Sequence, residues 1–231
     1  MRFDAISMQL AAIRAWQKQR RATLSVLRRT MLYLPIMVVQ TVGYITLTHK
    51  SSGGVMLKTV FDDWIPFWPI WSVPYLLTFV WWIGSLTWVG VHLKYRQFRA
   101  FVAATAFMVV TTMLFYTLMP TYVVRPMVIG DGWAENLMRS IFASDGLYCA
   151  FPSGHIYLST LGALYLSYLY PKRKALWISI VVVICAATLF TKQHYLTDVI
   201  GGILWAWAGY GFGFWWIGGR KEQGYGARQS T

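Results

Sequence analysis

Six apolar runs decide what this chain can fold into. They lie at about 31–48, 67–91, 100–119, 155–170, 175–191 and 198–217. Each reaches or approaches the ~20 residues that cross ~30 Å of hydrocarbon as a helix. Hydrophobic residues make up 57% of the chain and charged residues 13%, against roughly 25% charged in an ordinary soluble domain. The 13 Trp, 14 Tyr and 13 Phe fit a bilayer as solvent, because amphipathic aromatics settle at its interfaces. The expected fold is therefore all-α: a polytopic membrane protein of about six transmembrane helices. The run at 155–170 is short and becomes adequate if its helix begins at Pro152, since proline suits the first helical position. Pro35, Pro69 and Pro74 start or kink helices, which neighbouring helices tolerate.

Lysine and arginine set the orientation. With the N-terminus inside, 16 of the 21 fall on the inner side, and Lys50, Lys58, Arg125, Arg139 and Lys192 fall outside. Both termini are then expected to be cytoplasmic. The net charge of +13 is mostly this topology signal and requires no polyanionic partner. Of the acidic residues only Asp4 and Glu222 lie inside, so the outer face is near charge balance. Residues 1–30 alternate cations such as Arg14, Lys18, Arg28 and Arg29 with Ile13, Trp16, Leu24 and Leu27. They read as an amphipathic helix on an anionic membrane surface. Their adjacency to a span argues against nucleic-acid binding. The expected organisation is an interfacial segment at 1–30, a six-helix membrane domain at 31–218 and a basic cytoplasmic tail at 219–231. No small-residue cleavage site follows the basic head, so the first span is expected to remain as an anchor. Cys149 and Cys185 belong to different apolar runs, and no bridge is expected between them.

Three outer stretches carry unusual polar residues: "MPTYVVRP" at 119–126, "FPSGH" at 151–155 and "TKQHYLTD" at 191–198. On the deduced topology they share one side of the membrane. A helix start at Pro152-Ser153-Gly154 exposes unpaired N–H groups, a ready anion site, and glycine lets an anion approach. Ser153 adds a hydroxyl, Arg125 a fork matched to phosphate oxygens and Lys192 a point charge. His194 and Asp198 are four apart, on one helical face. The carboxylate can hold one imidazole nitrogen protonated and leave the other free to attack. His155 can protonate a leaving oxygen. Taken alone, a PSGH stretch is often just a helix start, and a His-x3-Asp pair is more often structural. Together on one face they form an inventory for phosphoryl transfer. His49 and His92 lie elsewhere, and no metal-ligand spacing occurs, so no metal or cofactor is expected.

With "VVRP", "PSGH" and "HYLTD" in this order, the chain resembles the type 2 phosphatidic acid phosphatase (PAP2) superfamily over about 119–201. The resemblance implies His194 as a nucleophile forming a phosphohistidine, Asp198 as its orienter and His155 as the acid. It implies that Arg125, Ser153 and Gly154 hold the phosphate. Two positions depart from the family pattern: Leu118 stands where a lysine is usual, and Thr188 where an arginine is usual. "TKQHYLTDVIGG" is similar to the branch containing inositol phosphorylceramide synthase-like phosphotransferases. Lys192 is expected to supply the missing charge beside Arg125, which requires 191–194 to be non-helical and a helix to begin near Tyr195–Asp198. The implied substrate is a lipid phosphate or diphosphate at the outer, extracytoplasmic interface. Water as acceptor makes a phosphatase, and a hydroxyl makes a transferase. A transporter would line its spans with ionisable groups, whereas here they cluster at one interface. The intact His155, His194 and Asp198 set argues against a non-catalytic lipid-binding scaffold.

Overall fold

The computed structural model describes residues 2–50 and 52–218, with side chains from 25–49 and 52–218. The described residues form seven α-helices and no strands. They are α1 (Arg2–Lys50), α2 (Ser72–His92), α3 (Tyr95–Leu118), α4 (Trp133–Ser144), α5 (Gly154–Leu169), α6 (Lys174–Phe190) and α7 (Leu196–Gly218). α1 runs through position 30 without a break and contains Pro35. The amphipathic character expected of 1–30 rests largely on side chains outside the described residues, as does the tail at 219–231.

Four helical segments among the described residues are long and apolar enough to cross a membrane: Ser25–His49, Pro69–His92, Tyr95–Leu118 and Pro171–Phe190. The other two expected spans coincide with α5 and α7. α5 has 16 residues, about 24 Å of helix. It can be short and apolar all round because it is the central helix. Eleven of its residues are buried, and it packs against α2, α6 and α7. The expectation that this helix starts at Pro152 is corrected: Ser153 is the N-cap and Gly154 the first helical residue. Residues 151–153 are held out of the helix by cross-links. Tyr116 Oη donates to the Pro152 carbonyl at 2.8 Å. The Ser153 N–H donates to the Asp198 carbonyl at 3.1 Å, and the Phe151 N–H to Thr121 Oγ1 at 2.8 Å.

α7 meets α3 along small residues. A Cβ at Gly213 would overlap the Ala100 carbonyl oxygen, and one at Gly209 would come within 2.8 Å of Met108 Sδ. Gly209 and Gly213 thus oppose Ala100 and Ala104, a close approach of the kind that packs helices in lipid. Where α2 gives way to α3, Arg29 donates to the carbonyls of Gly90 and Val91 and lies over the Phe98 ring, pinning α1 to α2 and α3.

At the opposite end the connections are bound to one another. The 55–65 loop is fastened to the start of α7: the Leu196 N–H donates to Asp62 Oδ1 at 2.8 Å, and Thr197 Oγ1 to the Leu57 carbonyl at 2.7 Å. Asp62 is buried, and a carboxylate at a helix N-terminus is well placed against its dipole. The short α4 lies at this end and buries Ala134, Met138 and Ile141. The start of α5, the start of α7 and the end of α3 therefore converge.

Candidate active site

His194 sits between a helix stop and a helix start. α6 ends in a turn in which the Lys192 N–H donates to the Leu189 carbonyl (3.1 Å) and the Gln193 N–H to the Thr188 carbonyl (3.0 Å). This is the Schellman pattern, whose first residue beyond the cap is usually glycine. Here it is Lys192, with φ +53°. The Thr188 carbonyl also receives the His194 N–H at 3.3 Å. α7 then begins at Leu196. The non-helical 191–194 stretch expected from the sequence is what the backbone adopts, and its cause is this C-terminal cap.

Asp198 lies in the first turn of α7 and is buried. Its Oδ2 accepts the Tyr195 N–H at 2.8 Å and lies 3.6 Å from His194 Nδ1. That is ion-pair range, short of a hydrogen bond, and such contacts tighten when substrate binds. On its other side, His194 Nε2 is 3.2 Å from His155 Nδ1. Nδ1 of His194 therefore faces the carboxylate and Nε2 faces the second histidine, an arrangement suited to a nucleophile. His155 is boxed by aromatic rings: Tyr75 at 4.8 Å, Trp82 at 5.3 Å and Phe79 at 5.8 Å.

Ser153 and Gly154 abut this pair. The Ser153 carbonyl accepts from Ile156 and Tyr157, while the N–H groups of Gly154 and His155 have no partner among the described residues. Ser153 Oγ, Gln193 Nε2 and Arg125 Nε are also buried without a hydrogen bond. Unsatisfied buried polar groups are rare. The unpaired N–H groups at the start of α5, with Ser153 Oγ at its N-cap, are what an anion would satisfy.

The two expected phosphate cations are placed differently from that expectation. Arg125 does not present a free fork to the histidines. It donates to the carbonyls of Phe142 (3.1 Å), Asp145 (2.8 Å) and Gly146 (2.7 Å), and to Gln193 Oε1 at 2.7 Å. It also lies over the Phe142 ring. It clamps the end of α4 and orients Gln193, the neighbour of His194. Lys192 does not stand beside the histidines either. Its Nζ donates to the carbonyls of Asp62 (2.9 Å) and Ile65 (2.5 Å), because the left-handed turn swings the side chain toward the 55–65 loop. Burial lowers the Lys192 pKa from its ordinary value. Leu118, at the usual lysine position, is exposed at the end of α3.

Sequence reasoning missed Gln193, Asp145, Tyr44 and Tyr75 at this site. Gln193 adjoins His194 in the chain, which is the one signal that could have found it. The tyrosines come from α1 and α2, whose approach no local motif announces.

A cavity of about 380 Å³ opens beside the histidine pair, lined by His155, His194, Gly154, Asp145, Tyr44 and Tyr75 on its polar side. Met37, Phe79 and Trp82 on its apolar side also line a neighbouring trough of about 590 Å³. That trough runs between α1, α2 and α3 to Arg29. A hydrocarbon path thus leads from the site into the membrane-spanning region.

Known proteins resemble the chain in sequence. The chain is 30% identical over 89 residues to the inositol phosphorylceramide synthase catalytic subunit aur1 of Schizosaccharomyces pombe, covering 36% of this chain and 21% of that protein. It is 32% identical over 68 residues to the corresponding AUR1 subunit of Saccharomyces cerevisiae, covering 29% of this chain and 17% of that protein. The matches span about a fifth of these relatives' length. No solved structure matches with significance. A family model described as the PAP2 superfamily matches residues 56–212, which takes in α2 to most of α7 together with Ser153, Gly154, His155, His194 and Asp198. The matched stretch covers more than half of the chain and contains both PSGH and His-x3-Asp, and the chain belongs to the PAP2 superfamily.

Proposed function

We propose that this chain is a membrane enzyme that takes the phosphoryl group of a lipid phosphate onto His194. One observation carries the reading: His194 presents Nδ1 to Asp198 and Nε2 to His155, beside a helix start with unpaired donors. Asp198 keeps the proton on Nδ1 and leaves the Nε2 lone pair to attack. The phosphoryl group enters between the two imidazoles, so their contact opens on binding. The Nε2–P bond forms, the P–O bond to the lipid breaks, and the His155 proton goes to the departing oxygen. Ser153 Oγ, the Gly154 and His155 N–H groups and the Gln193 amide face the charge spread over the equatorial oxygens. Arg125 acts behind Gln193 as its anchor. His155 then takes a proton from the acceptor, whose oxygen displaces His194 Nε2 from phosphorus.

The trough from Met37, Phe79 and Trp82 to Arg29 supports a lipid substrate, since it continues the site as apolar surface. The six spans comprise the membrane part of α1 together with α2, α3, α5, α6 and α7. The lysine and arginine distribution puts both termini in the cytoplasm and the site on the extracytoplasmic side. With water as acceptor the enzyme is a lipid phosphatase. A second reading, transfer to a hydroxyl, is favoured by the similarity to inositol phosphorylceramide synthase subunits.

The test is alkaline quenching of the vesicle-reconstituted chain after mixing with radiolabelled phosphatidate, run in the presence of a chelator. Label on His194, lost in His194→Ala while the folded protein persists, is expected. Label on His155 instead, or turnover by His194→Ala near that of the parent, overturns the assignment.

A further inference from the structure

Asp145 faces the cavity that holds the two histidines, and the phosphate chemistry above does not use it. Its side chain is 18% exposed, so the cavity reaches it. Tyr44 Oη of α1 donates to Oδ1, and Tyr75 Oη of α2 donates to Oδ2 at 3.2 Å. The guanidinium of Arg125 is 3.7 Å from Oδ2 and grips the Asp145 carbonyl. The carboxylate is therefore fixed from three elements, yet each oxygen keeps a lone pair for one more donor.

That placement selects a ligand. The groups proposed to face the phosphate, Ser153 Oγ and the Gly154 and His155 N–H groups, are donors, and the Asp198 carboxylate is turned to His194 Nδ1. A carboxylate is acceptor-only and repels a phosphate oxygen. What it takes is a hydroxyl. Ile45, Leu76, Ile141 and Leu158 give the cavity an apolar side, and Gln40, Thr41 and Ser144 add polar groups to its wall. Through Met37, Phe79 and Trp82 it continues into the trough. A hydroxyl carried on a hydrocarbon body satisfies both the carboxylate and the apolar side, whereas water uses only the first.

We propose that Asp145, held by Tyr44 and Tyr75, is the binding point for the hydroxyl of an acceptor alcohol with an apolar body, which makes the enzyme a lipid phosphotransferase. The inference rests on the phosphohistidine reading. In the second half-reaction the Asp145 carboxylate accepts the hydroxyl hydrogen bond and aims the oxygen at phosphorus. The O–P bond forms, the P–Nε2 bond of His194 breaks, and the hydroxyl proton passes to His155 Nδ1. Asp145 is a positioning residue for this step and keeps no proton.

The experiment supplies radiolabelled phosphatidate and dodecanol to the full chain in phosphatidylcholine vesicles. Dodecyl phosphate and inorganic phosphate are measured together. Both arise from one phosphohistidine, so their ratio reports acceptor choice and is insensitive to general damage upstream. Asp145→Asn is expected to lower the ratio about tenfold or more, the scale of losing a hydrogen bond to a charged acceptor. Tyr75→Phe, which keeps the ring, is expected to lower it about threefold. An unchanged ratio in Asp145→Asn overturns the proposal. If that variant does not fold, unchanged ratios in both Tyr44→Phe and Tyr75→Phe overturn it. A parent that labels His194 and releases phosphate but makes no dodecyl phosphate overturns this proposal alone. A parent that never labels His194 overturns the phosphohistidine reading, and this proposal with it.

Discussion

Replacing Arg125 by lysine separates two uses of one cation. If the guanidinium holds the substrate phosphate, as the Arg-Pro motif implies, lysine keeps the charge and the fold but weakens catalysis. If it is the clamp that joins α4 to Gln193, lysine must replace a fork that serves four acceptors from 142–146 and 193. An ammonium is a point donor and can meet about two of the four. The side chain is 9% exposed, so water does not make good the rest. Each hydrogen bond to a charged group contributes about 1.5–3 kcal/mol, and each carbonyl left dry costs about 1–3 kcal/mol. The lysine recovers part of this, and a net loss of about 3 kcal/mol is expected. For a chain of this size each kcal/mol moves the melting temperature by about 2–4 °C. Arg125→Lys should therefore melt about 6–12 °C lower, followed by tryptophan fluorescence in detergent. Below its melting temperature, the variant should fall in turnover because Gln193 is released from its anchor. An unchanged melting temperature with turnover abolished would refute the clamp and return Arg125 to the phosphate.

Two further substitutions test the turn and the helix packing. Lys192→Gly relaxes the left-handed turn that a lysine adopts at a cost and deletes the ammonium. Turnover within about tenfold of the parent is expected, because the ammonium is spent on loop carbonyls; a loss of about 10²-fold, the scale of one transition-state donor, would put it on the phosphate. Gly213→Ala is expected to destabilise by about 1–3 kcal/mol, since its Cβ meets a backbone oxygen that cannot step aside, whereas Gly211→Ala, with open space around it, should be neutral or stabilising by a few tenths of a kcal/mol, as helix propensity alone favours alanine. Equal thermal unfolding of the two variants would refute the small-residue seam between α3 and α7.

The proposed phosphoryl transfer draws on protein groups throughout. In that proposal the histidine pair, one carboxylate and a helix start supply the nucleophile, the acid and the charge stabilisation. Among the described residues no group of three or more His, Cys, Asp or Glu side chains is placed to hold a metal ion.

The helical membrane fold was legible in the sequence because apolar runs near bilayer length leave few alternatives. The candidate residues His194, Asp198 and His155 were legible for a related reason. His194 and Asp198 are four apart at a helix start, and His155 belongs to a helix N-terminus that proline and glycine announce. Local spacing sets each of these pieces, whereas the meeting of the two histidines, 39 positions apart, is set by the packing of α5 against α7. The α5 start lies two residues beyond the expected one because cross-links from Tyr116, Thr121 and Asp198 decide where the helix begins, and these come from elsewhere in the chain. The roles of the cations were decided only by tertiary structure. A guanidinium or ammonium on a long side chain goes to whichever acceptors the fold brings within reach. Those are the carbonyls at the end of α4 for Arg125 and of the 55–65 loop for Lys192. The same holds for Asp145, Tyr44 and Tyr75, which are separated by up to 101 positions. Sequence determined the span-forming segments and the local reacting groups, through periodicity and spacing. Packing of α1, α2 and α4 around them determined which polar groups face the cavity, because that depends on side-chain reach between elements distant along the chain.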